Sequence, residues 1–156
     1  MPRKAKIVKR EILPDSRYND LLIAQLINKV MWDGKKSIAE SIVYGALEKL
    51  SKGKEGTPAE LFKTVINNIR PQVMVKSTRI GGATYQVPTE ITFEKSVAIG
   101  MRWVIQYARK RSDKGMVEKL AGELEDGFHK RGNTFKKRDE THKMAEANKA
   151  FAHYKW

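Results

Sequence analysis

Cysteine is absent from this 156-residue chain, which excludes disulfides and every thiolate metal site. No run of roughly 18 apolar residues occurs, so no segment reads as a bilayer span. The basic start, Met1-Pro2-Arg3-Lys4, is not followed by the apolar stretch of a signal peptide. Together these absences make a cytoplasmic protein without a membrane partner the expectation. Histidine is scarce, and His129, His142 and His153 lack the i, i+4 pairing of a metal site; they read as surface residues of helices. Glu123, Glu125 and Asp126 stand among lysines and read as solvated charge, not as an acid–base pair. No catalytic residue, metal or cofactor is expected.

Acid is the other shortage. Asp and Glu number 18 against 31 Lys and Arg, leaving a formal net charge of +13. Such an excess on a small domain repels itself unless a polyanion is near, and without a membrane segment the polyanion is nucleic acid. One domain, 1–156, is expected from the length. Its first fifteen residues form a basic arm, extended and flexible, in which Arg3, Lys4, Lys6, Lys9 and Arg10 precede any acid. A solubilising tail is the plainer reading of the same residues.

Periodicity then turns helical. Leu22, Ile23, Leu26, Ile27, Val30 and Met31 recur at three and four, and Asp33-Gly34 ends the run. A second helix places Ile38, Ala39, Ile42, Val43, Ala46, Leu47 and Leu50 on one face and fades at Lys52-Gly53. Thr57-Pro58-Ala59-Glu60 is a capping box with proline in the first turn. Leu61, Phe62, Val65, Ile66 and Ile69 follow, up to Pro71. From Gln72 the period becomes two, and Gly81-Gly82 marks a hairpin; the ribbon spans 72–88, with its return strand closed by Pro88. A fourth helix, about Thr92 to Ala108, has Phe93, Val97, Met101, Val104, Ile105 and Ala108 on one face. Ile99 and Trp103 lie roughly opposite, which marks it as the central helix. Met116, Val117, Leu120, Leu124 and Phe128 make a fifth, ending near Gly132. Residues 134–156 form a last helix with a weak apolar stripe. The expected fold is all-α: a bundle of about six helices, with a two-stranded β-ribbon inserted between the third and fourth.

The basic positions on this framework suggest sites. Lys95, Arg102 and Arg109, seven apart, share one stripe of the fourth helix. No acid separates Lys95 from Arg111, and the stripe continues through Lys110 and Arg111 to Lys114. Lys35 and Lys36 open the second helix, where cations oppose the dipole and a bound phosphate relieves the conflict. On the ribbon, Lys76 and Arg79 are placed to flank a nucleic-acid strand. Tyr85 has two readings, a ring that stacks on a base or an anchor for the ribbon. Lys136-Lys137-Arg138, followed at once by Asp139 and Glu140, reads as a solvated helix face.

Three strings are specific enough to name a family: Asp33-Gly34-Lys35-Lys36-Ser37 with Ala39-Glu40; Val75-Lys76-Ser77 with Arg79-Ile80-Gly81-Gly82-Ala83-Thr84-Tyr85-Gln86-Val87-Pro88; and Met144 through Tyr154. Together they resemble ribosomal protein seven of the bacterial small subunit, in order, from about Pro2 to Trp156. The resemblance implies a helical bundle with an extended ribbon. It also implies a primary binder of small-subunit ribosomal RNA that nucleates folding of the head domain and sits at the subunit interface near the exit site. There Arg79, Gly81, Gly82 and Tyr85 of the ribbon approach transfer RNA and messenger. Neighbouring small-subunit proteins are implied partners through the C-terminal segment, here Phe151, Tyr154 and Trp156, with the chain a monomer within the ribosome. Thr78, Met74 and the pair Glu94-Lys95 depart from the family pattern, which is more basic at Thr78 and Glu94-Lys95 and commonly acidic at Met74. A nucleic-acid enzyme, a dimeric DNA-binding regulator and a merely solubilising basic surface are the rival classes. The first lacks a converging acid or histidine cluster. A helix-turn-helix and a dimer would mark the second, and an absence of bound RNA the third.

Overall fold

The computed structural model describes residues 10–154. Arg3, Lys4, Lys6 and Lys9 of the arm, and Trp156 at the other end, lie outside the described residues. The described part is helical, with one ribbon. The helices are α1 (Leu21–Val30), α2 (Lys36–Ser51), α3 (Pro58–Ile69), α4 (Phe93–Lys110), α5 (Met116–Phe128) and α6 (Gly132–Ala147), and a 3₁₀ segment, Lys149–Tyr154, follows α6. Strands β1 (Val73–Ile80) and β2 (Ala83–Glu90) pair antiparallel between α3 and α4. This is the all-α bundle with an inserted ribbon that the periodicity implies.

Local chemistry accounts for the element ends. Asp20 caps α1 by accepting from the Leu22 and Ile23 amides. The capping box of α3 is complete: Thr57 Oγ1 accepts from the Glu60 amide at 3.3 Å, and Glu60 Oε2 accepts from the Thr57 amide at 2.9 Å. Gly81 and Gly82 both take positive φ, +57° and +88°, the backbone of a two-residue hairpin turn whose twist matches its strands.

Apolar side chains from α1 to α5 meet in one core centred on Ile23, Leu26, Leu47, Phe62, Ile69, Met101, Leu120 and Leu124, all fully buried. Close approach of α5 to α3 requires Gly127, where a Cβ would lie 2.5 Å from Ile69 Cδ1.

Several expectations are corrected. Ile38 and Phe93, assigned to core faces, are 56% and 59% exposed, because each lies in the first turn of its helix, beyond the packed layer. The central place expected of α4 is shared: α4 packs on α1, α3, α5 and α6, and α5 packs on α2, α3, α4 and α6, with Ile99 and Trp103 of α4 half-buried. The ribbon runs past Pro88 to Glu90. Proline is tolerated there because each strand of a two-stranded ribbon has a free edge. The last helix stops at Asn148 and tightens into 3₁₀. The arm is anchored at its root: Asp15 is buried and accepts from the Arg17 and Tyr18 amides and from the Tyr44 hydroxyl at 2.7 Å.

Candidate nucleic-acid interface

The α1–α2 turn and α4 bring cations together from positions far apart in sequence. A groove of about 520 Å³ is lined by Lys29 of α1 and by Arg102, Ile105, Gln106, Arg109 and Lys110 of α4. A second trough of about 310 Å³ adjoins it through Arg109, with Lys35, Trp32 and Ile38 on its wall. Lys95, Arg102 and Arg109 are exposed along α4, spanning roughly 21 Å at 1.5 Å per residue. Lys114 is exposed in the α4–α5 loop. Among the described residues, Lys29, Lys35, Lys95, Arg102, Arg109, Lys110 and Lys114 form no ion pair within 4.0 Å.

Several carboxylates pair with cations away from the grooves, while Glu94 shares a small pocket with Lys29. Glu48 pairs with Arg17, Glu118 with Lys49, Glu125 with Lys54 and Asp20 with Lys63. Lys36 is intermediate: it lies 3.8 Å from Glu40 one turn on and shares a groove with Arg10 at the root of the arm.

Arg111 is placed differently from its neighbours. Its guanidinium turns inward to Asp113 at 2.9 Å, Asp126 at 2.8 Å and Glu123 at 3.2 Å. Glu123 is only 1% exposed, which corrects its reading as solvated charge. One oxygen accepts from the Thr134 amide and hydroxyl at the start of α6; the other meets Arg111. Burial pushes the Asp126 carboxyl up, but the guanidinium groups of Arg111 and Arg131 outweigh it and hold the group below its ordinary value. The run at Lys136 also divides. Lys136 is exposed, while Arg138 donates to the Asn68 carbonyl at 2.6 Å and stacks over Phe135.

On the ribbon, register decides which way each side chain faces. Lys76 pairs with Val87 and Thr78 with Tyr85, so Lys76 shares a face with Tyr85. Arg79 pairs with Thr84 on the opposite face. Both cations are exposed, as are Gly81 and Gly82 at the tip. Tyr85 is half-buried, with ring centroids of Phe151 and Tyr154 at 5.5 and 5.1 Å, so the anchoring reading describes it. Phe151 and Tyr154 thus have an internal partner. His142 is half-buried too, not a surface residue: its Nε2 accepts from the Gln72 amide at 3.0 Å, tying α6 to the foot of β1. Burial and then Arg138 lower its pKa.

Lys29 and Trp32 escaped the sequence reading. Lys29 lies in the last turn of α1, and only the fold brings it to Arg102, 73 positions on. Trp32 was hidden among the apolar residues that end α1. An unexplained tryptophan beside Asp-Gly was the available signal.

No helix among the described residues is long and apolar enough to cross a membrane. Nor do they contain a group of three or more His, Asp or Glu placed to hold a metal ion.

A family model described as ribosomal protein S7p/S5e matches residues 2–149. The chain belongs to that family. Full-length S7-family relatives include the small ribosomal subunit protein uS7 of Caldanaerobacter subterraneus subsp. tengcongensis, 52% identical over 156 residues and all of both chains. The proteins of that name from Desulfatibacillum aliphaticivorans and Syntrophobacter fumaroxidans are 51% and 52% identical, again over both whole chains. As an S7-family member the chain is a structural constituent of the ribosome, of the small-subunit kind its relatives' names state, and not an enzyme.

Proposed function

We propose that this protein is a primary RNA-organising component of the small subunit, binding ribosomal RNA and nucleating the folded head domain. The observation that carries the reading is the sorting of charge. Nine carboxylates are held in ion pairs, none of them with Lys29, Lys35, Arg102, Arg109 or Lys110 around the two adjoining grooves, or with Lys95 and Lys114 beyond them. Phosphates from more than one RNA helix meet Lys29, Lys35, Lys95, Arg102, Arg109, Lys110 and Lys114. The start of α2 adds its amides, with Lys36 and Arg10 beside it. The arm residues Arg3, Lys4, Lys6 and Lys9 extend the contact. Arg111 supports the site from within. Binding several RNA helices at once lowers the free energy of their folded arrangement relative to open ones.

The ribbon has a second role in this proposal. Clamped by the C-terminal segment near its middle, it presents Lys76, Arg79 and the Gly81-Gly82 tip as an exposed finger toward transfer RNA in the exit site. Tyr85 holds the finger and does not stack on a base. Neighbouring small-subunit proteins meet the outer side of the Phe151–Tyr154 segment and Trp156. The whole chain, 1–156, acts as one domain and as a monomer in the particle.

The test is affinity for a head-domain ribosomal RNA fragment over a salt series. Each neutralised phosphate releases counterions, so log K falls steeply with log salt, and each single Lys→Ala or Arg→Ala change in the groove reduces the slope by about one. A nearly flat dependence, or equal affinity for duplex DNA in competition, overturns the reading.

A further inference from the structure

Between α1 and α2 the chain reverses in four residues. The Lys35 amide donates to the Trp32 carbonyl at 3.0 Å, with Asp33 at φ +52° and Gly34 at φ +71°. A turn with both central residues in the left-handed region suits glycine and a short acidic side chain. It also fixes Trp32 at its first position, 68% exposed. An indole left in water forgoes the burial that an aromatic ring usually contributes. Arg109, from the last turn of α4, reaches across so that its guanidinium carbon lies 4.7 Å from the ring centroid. The guanidinium accounts for one face of the indole, and the exposure leaves the remainder of the ring open. Val30, Met31, Ile38 and Ile42 make the trough beside it apolar, and Lys35 and Arg109 edge it. No carboxylate stands on the wall of this trough or of the adjoining basic groove.

Resting on the RNA-binding reading above, we propose that Trp32, backed by Arg109, is the seat of one unpaired nucleobase of the bound RNA. An apolar ring alone would serve a peptide side chain equally well. Charge selects between the two. A base stacked on Trp32 brings its flanking phosphates to Lys35 on one side and to the groove of Lys29, Arg102 and Lys110 on the other. Every base has a π face, so the seat reads the unstacked state rather than a sequence. A Watson–Crick duplex, with its bases stacked inside, offers the seat nothing. The site therefore selects a bulged or junction nucleotide, while the cations around it hold the backbone.

The chain has three tryptophans, at 32, 103 and 156, so a W103F/W156F variant leaves Trp32 as the sole reporter. Its fluorescence is followed while the head-domain RNA fragment, a single-stranded oligouridine and a duplex of equal length are titrated in. The fragment and the single strand are expected to quench Trp32 in step with binding, and the duplex to bind electrostatically without quenching. In the full chain, Trp32→Ala is expected to weaken fragment binding by about 5- to 150-fold, the range of one lost base stack. The salt slope stays unchanged because no charge is removed, and Trp32→Phe retains most of the affinity. If W103F/W156F does not fold, Trp32→Phe in the otherwise intact chain gives the same readout by loss of the RNA-induced quench. Fragment binding with no change at Trp32, or a Trp32→Ala variant within two-fold of the parent, overturns the seat and leaves the RNA-binding reading intact. Failure of the unaltered chain to bind the fragment overturns both.

Discussion

Arg102, midway along α4, and Arg111, just past its end, are nine residues apart and do opposite work. Among the described residues, Arg102 is exposed and unpaired, and Arg111 is the one cation paired with the buried Glu123. Removing Arg111 strands a carboxylate in the core beside two hydroxyl- and amide-bound contacts from Thr134. Breaking a buried pair costs about 3–5 kcal/mol; Arg111 is 30% exposed, which puts Arg111→Ala nearer about 2–4 kcal/mol. Calorimetry should show the midpoint falling by roughly 5–15 °C for a chain of this size. Arg102→Ala should leave the midpoint where it is and cost about 1.5–3 kcal/mol of RNA binding, the worth of a charge-assisted hydrogen bond. Equal midpoints for the two variants would show that Glu123 does not depend on Arg111. The same network sets the acid limit. Burial raises Glu125 and Asp126, but Lys54 with His129, and Arg111 with Arg131, bring both net below their ordinary values. A depressed carboxylate contributes stability above its unfolded pKa, about 4, and loses it as pH falls through the lower folded value. Urea midpoints should therefore show a decline below about pH 4, smaller in Asp126→Asn than in the parent.

Among the elements, the ribbon depends most on a distant part of the chain. Two strands alone are marginal in water, and here α6 and the 3₁₀ segment supply the missing layer. Tyr85 lies against Phe151 and Tyr154, Val87 is buried, and His142 holds the foot of β1. Tyr85→Ala should loosen the segment before it loosens the core. Trypsin should then cut at Lys149 sooner, with the helical remainder still resistant, whereas Tyr85→Phe keeps the parent's pattern. Cleavage at an unchanged rate would mean that Tyr85 is not the clamp. His142 gives the clamp a pH edge. Its pKa is lowered by burial and by Arg138, with Asp139 opposing, and only the neutral ring can accept from Gln72. Its contribution is complete above the unfolded value of about 6.5 and fades as pH falls toward the folded one. A Gln72 amide shift that moves with the His142 titration in NMR is the expected sign, and an amide that stays fixed removes the contact. Sequence made the hairpin and the capping box readable because glycine, proline and the Thr–Glu spacing act over four residues. It also exposed the cations of α4, which share one helix. What it concealed was set by partners 11 to 80 positions away: Glu123 read as solvated because Thr134 and Arg111 lie elsewhere in the chain, and Lys29 looked ordinary until α1 met α4. Periodicity names a face but not where packing stops, which is why Ile38 and Phe93 were misplaced.

For the molecule as a whole, the net charge of +13 acts in opposite directions on the free and the RNA-bound protein. Free, the unpaired cations around the grooves repel one another, and the bundle is held against that repulsion by its core and by internal pairs. Several of those pairs are partly sheltered, such as Lys54–Glu125 and Arg111–Glu123, so salt screens them less than it screens the exposed cations. Raising salt from about 50 mM to 500 mM shortens the screening length from well over 10 Å to under 5 Å. The free protein should therefore melt several degrees higher in the higher salt, in one cooperative transition if 1–156 is a single domain. The complex should behave in reverse. Its extra stability comes from mass action and shrinks as the affinity falls. The two melting curves, with and without the RNA fragment, should then converge as salt rises, the free protein climbing and the complex descending. A free protein that melts lower in high salt would show that its ion pairs outweigh its self-repulsion. The open cations would then impose no strain for RNA to relieve, and the sorting of charge would be a binding device alone.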